Sequence, residues 1–215
     1  MDLDQKSRTD DLAWYERAWS IMENMISPDP VLREKGLEDL RWLEGFQEHS
    51  LILYTLATRI MDPVLEVRFH AVQALGKLLE MDPEDGGLQE RSFKSVVEFT
   101  TRIDKEQLVK LLEVSVQYLS AEEALVQILK LCSYAGKALG GIVNDRKLPV
   151  EIRQQAIHFC GEVGFLNSIT GIRNLIQRVE KNRSKAGKLI SRKKYLDEER
   201  LIPYAVTALG KLTVD

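Results

Sequence analysis

Nine Lys or Arg residues and a single Glu fall between Arg173 and Lys194, in the stretch RNLIQRVEKNRSKAGKLISRKK. Positive charge at this density is the chemistry of phosphate and carboxylate capture, because each neutralised phosphate releases counterions and makes binding salt-dependent. The local charge is +8 against −3 for the whole chain, which leaves −11 for the remainder. Within it, residues 181 to 194 carry seven positive charges, no acid and only Leu189 and Ile190 as apolar anchors. The candidate contacts are Arg178, Lys181, Arg183, Lys185, Lys188, Arg192, Lys193 and Lys194. Base stacking would need interleaved aromatics, and only Tyr195 stands at the edge. A solvated basic loop, a contact with an acidic protein or membrane surface, and nucleic-acid binding all fit such a patch.

Covalent and metal chemistry have less to work with. His49, His70 and His158 fall on different predicted helices at non-equivalent positions, and no HExxH, CxxC, GxSxG or GxxxxGK[ST] string occurs. Cys132 and Cys160 sit in apolar helical contexts without partners at metal-like spacing, which predicts two reduced, buried thiols. Gly140-Gly141 follows no strand, so it marks a helix bend or close packing rather than a phosphate loop. The expectation is a chain that is not an enzyme and holds no cofactor or metal.

The elements that must position these residues are helices. Apolar side chains recur at three and four, as in Leu12, Tyr15, Met22 and Ile26, or Leu125, Ile128, Leu129 and Cys132, and period-2 alternation is almost absent. Breaks are predicted at SPDP (27–30), MDP (61–63), MDPEDGG (81–87), NDRKLP (144–149) and FLNS (165–168). Helices of roughly 12 to 20 residues remain between short turns, an ordinary length, and the repeat set out below gives about ten of them. Hydrophobic residues at 44% and charged residues at 29% allow a packed core and argue against disorder. The acidic, polar N-terminus has no signal-peptide pattern and no apolar run is long enough to span a bilayer, so a cytoplasmic protein is expected.

The helices repeat. PVLEVRFHAVQALG (63–76) aligns with LPVEIRQQAIHFCG (148–161), setting Val67-Arg68, Ala71 and Leu75-Gly76 on Ile152-Arg153, Ala156 and Cys160-Gly161. The offset of 85 is twice about 42, within the range of helical repeats. Residues 29–40 give a partial copy with Gly36 in the Ala position, residues 104–119 a weak one, and AVTALGKL (205–212) repeats AVQALGKL (71–78) with one change. In these residues the chain resembles the HEAT-repeat family, in particular the lyase HEAT-like subset, whose second helix reads D-x-x-x-x-V-R-x-x-A-x-x-A-L-G; residues 62–76 match every position.

The resemblance implies an all-α chain, an α-α superhelix of about five antiparallel helix pairs forming a single domain over 1–215. A basic, flexible insertion at 181–194 would interrupt it. Arg68 and Arg153 would bond to a turn Asp of their own or the next layer. The residue pattern itself places Pro63 and Pro149 in a first helical turn, with Asp62 capping.

The family is functionally diverse, so the resemblance adds little about role; a curved stack whose second helices line one long face suits a non-enzymatic scaffold binding a protein or peptide through Glu66, His70, Gln73, Glu151, Gln154 and Gln155. The alternative is nucleic-acid binding through 173–194. Some DNA glycosylases are similar solenoids, but the charge of −11 outside one segment and the terminal tryptophans depart from them. Trp14 and Trp19, five residues apart, cannot share one narrow helical face, so one must approach the surface as packing for a terminal layer or as a partner anchor. Leu201, Ile202, Tyr204, Val206, Leu209 and Leu212 surround most of the last helix, which predicts an association-prone C-terminal edge.

Overall fold

The structure, a computed structural model, describes residues 3–82, 84, 87–132, 134–184 and 192–213, with side-chain surroundings from residue 12 onward except at 184 and 192–195. Its described residues contain no strand. The α-helices are α1 Leu3–Met25, α2 Pro30–Leu40, α3 Ser50–Arg59, α4 Leu65–Glu80, α5 Glu90–Thr100 and α6 Lys105–Gln117, then α7 Glu122–Lys130, α8 Ala135–Asn144, α9 Val150–Val163, α10 Ile169–Ser184, α11 Arg192–Glu199 and α12 Ile202–Thr213. All five predicted breaks fall at helix boundaries, with Pro30 opening α2 and Asn144 closing α8. Further breaks at 41–49, 101–104, 118–121, 131–134 and 200–201 make the helices more numerous and several of them shorter than expected.

Local chemistry explains the starts and stops. Asp29 accepts from the Val31 N–H and Pro30 opens α2, where a missing N–H costs nothing. Asp104 and Gln107 form a reciprocal capping box on α6. Gly164, at φ 79°, ends α9 in the left-handed region that a side chain disfavours. Pro63 and Pro149 lie just before their helices rather than within the first turn, since α4 starts at Leu65 and α9 at Val150. Asp62 is therefore too early to be the N-cap of α4; its carboxylate accepts from the Val64 N–H at 3.0 Å.

The chain divides into two compact units, Met1–Arg102 with Glu123–Ile128, and Ile103–Glu122 with Leu129–Asp215. In the first, α1 packs on α2 and α3, α2 on α4, and α3 on α4 and α5. Met25, Leu37, Leu53, Leu56 and Leu75 are fully buried there, together with the repeat positions Val67 and Ala71. Setting Gly36 on Ala71 sets Arg33 on Arg68, and both guanidiniums are buried. Arg33 donates to both oxygens of Asp62 in the turn before α4, while Arg68 donates to the carbonyl of Asp62 at 2.8 Å and of Pro63 at 3.3 Å.

In the second unit, α9 packs on α8, α12 and α6, while α10 packs on α8 and α12. Ile152, Ala156 and Cys160 are buried, as the repeat register requires. Helices α8 and α10 cross at Gly140 and Gly171, where a Cβ added at 171 would lie 2.8 Å from the Gly140 Cα. Asn144 ties the crossing by donating to the carbonyls of Gly140 and Gly171 at 2.9 and 2.8 Å. On α12, Ala205, Ala208 and Leu212, with Leu201 just before the helix, turn one stripe inward. The exposed large apolar side chains of this edge are Tyr204 and Val206, so the uncovered surface is smaller than the sequence predicts.

Candidate functional site, an aromatic cleft between two helices

Helix α1 sends Ala18, Ile21 and Met25 into the core on one stripe, which turns Tyr15 and Trp19 outward. Trp14, half-buried at the flank of that stripe, donates its indole N–H to the Glu44 carbonyl at 2.7 Å. Its ring lies over His49, centroids 4.4 Å apart, and Tyr15 meets it edge-on at 5.2 Å and 89°. Trp19 is 60% exposed, its indole N–H donating to Glu23 Oε1 at 2.8 Å. With Leu51 and Ile52 from the start of α3, and with Met22, these rings wall an open cleft of about 670 Å³. Glu16 and Glu23 are the charged residues of its lining, which includes no Lys or Arg. A cleft of this make-up offers a large apolar area, two indole rings whose polar edges are satisfied, and an acidic rim.

The second unit holds a different arrangement. Glu198 on α11 is almost fully buried and accepts hydrogen bonds from Arg146 at 3.0 and 2.9 Å, from Arg153 at 3.2 Å and from Arg178 at 2.8 and 3.1 Å. Arg178 Nη1 also donates to Asn144 Oδ1 at 2.7 Å, and Arg153 Nε to the Val143 carbonyl at 2.9 Å. Burial alone would raise the Glu198 pKa, but the hydrogen bonds and charges of Arg146 and Arg178 outweigh it, and the carboxyl titrates below its ordinary value. Burial likewise lowers the pKa of Arg153, against the opposing pull of Glu198.

Among the described residues, Glu122, His158 and Glu162 form the group with the donor spacing of a metal site. His158 Nε2 lies 2.6 Å from Glu122 and its Nδ1 3.7 Å from Glu162, while Lys211 donates to Glu162, so the cluster is internally paired. Cys132 and Cys160 are buried and unbridged; desolvation pushes both thiols up to about 11, against hydrogen bonds with Tyr134 and Ser168. No described helix is long and apolar enough to cross a membrane.

No protein-family model, curated protein or solved structure matches this chain.

The residues singled out in sequence scatter. Glu66 is exposed on α4, with Gln73 half-buried and His70 held between Glu34 at 3.2 Å and Arg41 at 3.5 Å. Glu151 is exposed on α9, and Gln154 and Gln155 are half-buried. Within the basic segment, Lys181 and Arg183 occupy the last turn of α10 and suit its negative dipole end. Arg192, Lys193 and Lys194 open α11, and Lys185 and Lys188, with the centre of the expected insertion, lie outside the described residues. Arg178 is committed to Glu198 and Asn144. Tyr15, His49 and Leu51 of the cleft, and Arg146 and Glu198 of the charged cluster, were not among the expected sites.

Proposed function

We propose that the chain is a non-enzymatic protein-interaction scaffold built from HEAT-like helix pairs stacked as an α-α superhelix, and that the cleft between α1 and α3 receives an amphipathic, basic helical segment of a partner protein. The repeat reading is supported by the shared environments of the two strong copies. Val67 and Ile152, Ala71 and Ala156, Leu75 and Cys160, and the guanidiniums of Arg68 and Arg153 are buried alike. Gly76 and Gly161 each meet an alanine of another helix, Ala124 and Ala208.

The observation that carries the functional reading is the cleft itself: exposed Tyr15, Trp19 and Leu51 around a concave apolar wall whose charged lining is Glu16 and Glu23 alone. Exposed Trp and Tyr in a concavity are the usual anchors of a binding hot spot. A helix laid in a groove is read through apolar residues at i, i+3, i+4 and i+7. Acidic groups at the rim select a helix flanked by Lys or Arg and disfavour an acidic one. The candidate basic contacts offer a weaker base for nucleic-acid binding, because Arg178 is already engaged by Glu198 and Asn144 inside the second unit.

Titration with two designed helices, one of Leu and Lys and one of Leu and Glu in the same pattern, tests the reading. The Lys helix is expected to bind and to shift tryptophan emission to shorter wavelength, with Trp19→Ala weakening it by roughly tenfold or more, as for a hot-spot anchor. Equal binding of both helices, or binding unaffected by Trp19→Ala, would remove the cleft from consideration.

A further inference from the structure

The contacts made by Glu198 are badly matched to a carboxylate. Four N–H groups converge on its Oε1: Arg146 Nε, Arg153 Nη2, Arg178 Nε and Arg178 Nη2, between 2.8 and 3.2 Å. Its Oε2 takes Arg146 Nη2 at 2.9 Å and a longer contact of 3.4 Å from Arg178 Nε. A carboxylate has about four lone-pair sites over its two oxygens, so one oxygen is crowded with twice its share of donors. The charge is mismatched as well. Three guanidiniums face one carboxylate, and each guanidinium presents the planar fork that pairs with oxyanions.

A phosphate group reduces both mismatches. It brings three acceptor oxygens and a charge of about −1.5 to −2 at neutral pH, so donors spread over more atoms and most of the positive charge is cancelled. The geometry also leaves a way in. Arg153 is sealed at the bottom, with 4% of its side chain exposed, whereas the side chain of Arg146 is half exposed and that of Arg178 is 27% exposed. Of the residues of α11 whose surroundings are described, 196–199, Glu198 alone is buried, and Leu196 is 49% exposed. We infer that Arg146, Arg153 and Arg178 form a phosphate receptor, that Glu198 occupies it as an intramolecular substitute, and that a phosphate group displaces Glu198 and frees α11.

The proposal is independent of the aromatic cleft, which lies in the other unit. Its ligand is a phosphate group, either free orthophosphate or a phosphorylated side chain of a partner, and the two are separated by titrating with orthophosphate and with a phosphoserine-containing hexapeptide at constant ionic strength. Glu198→Gln removes the competing charge while keeping the side-chain volume, and is expected to tighten phosphate binding by roughly tenfold in at least one arm, a shift of about 1.4 kcal/mol. The tighter arm identifies the source. Adding Arg146→Gln, at a half-exposed position, should cancel most of that gain.

In the unaltered chain, at least one of the two ligands should speed amide hydrogen exchange at residues 196–201 relative to chloride of equal ionic strength. This measurement decides the matter if Glu198→Gln fails to fold. Binding no tighter in folded Glu198→Gln, a gain insensitive to Arg146→Gln, or exchange at 196–201 indifferent to both ligands would each overturn the proposal and leave a purely structural ion cluster.

Discussion

Arg33 and Asp62 form a two-point ion pair, Nε to Oδ2 at 2.7 Å and Nη2 to Oδ1 at 2.8 Å, that ties α2 to the turn before α4. Neither partner can be lost cheaply. The Asp62 side chain is fully buried and Arg33 nearly so, and the carboxylate also takes the Val64 N–H and a 3.4 Å contact from Arg59. Removing one member of a buried pair strands the other charge, at a cost of about 3–5 kcal/mol. Asp62→Ala should therefore lower the urea midpoint far more than the paired change Arg33→Met with Asp62→Ala. Equal losses would show that the pair contributes no coupling.

The same repeat position should give opposite results in two copies. A Cβ on Gly76 would collide with Ala124, backbone included, so Gly76→Ala forces α4 and α7 apart at an expected cost of about 1–3 kcal/mol. Gly210 on α12 has open space around its would-be Cβ. Gly210→Ala should gain about 0.5–1 kcal/mol, the helix-interior preference for Ala over Gly. Thermal unfolding of the two variants checks the pair of signs, and destabilisation by both would mean that α12 packs differently.

Thiol chemistry should be silent in the folded chain. With both cysteines buried and titrating near 11, a colourimetric thiol reagent at pH 8 should label neither until denaturant is added, and then both. Rapid labelling of one thiol under native conditions would place it at the surface.

Stability should depend on Glu198 below neutral pH. Because its folded pKa is depressed, its contribution is complete above the ordinary carboxylate range near 4.3 and is lost as the pH falls through the lower folded value. A series of urea midpoints from pH 7 downward should fall less steeply for Glu198→Gln than for the parent. Parallel profiles would show that Glu198 gains no protonation-linked stability from its arginines.

Much of the helical framework was legible because proline, aspartate and glycine punctuate it, and because the repeat fixes which face of α4 and α9 turns inward. The turn at 41–49 was legible in principle: Gly45 adopts φ 74°, and the string WLEGFQEH contains the one glycine able to do so cheaply. The breaks at 118–121 and 131–134 carry no proline or glycine, so periodicity alone ran through them. Within the cleft, the tryptophans drew attention by type, but His49 and Leu51 join them only because α1 packs on α3. Glu198 was invisible for a related reason. In LDEER it looks like any solvated acid, and its burial depends on arginines 20, 45 and 52 residues away.

Asn144 satisfies three groups at once, donating to the Gly140 and Gly171 carbonyls and accepting from Arg178. Aspartate could not donate, leucine could do neither, and glutamine would carry the amide a carbon too far from a crossing this close. Divergence at this spot is therefore constrained as a block. In diverged descendants of this chain, positions 140, 144, 171 and 178 are expected to change together or not at all, whereas the exposed outer turns of α8 and α10 drift independently.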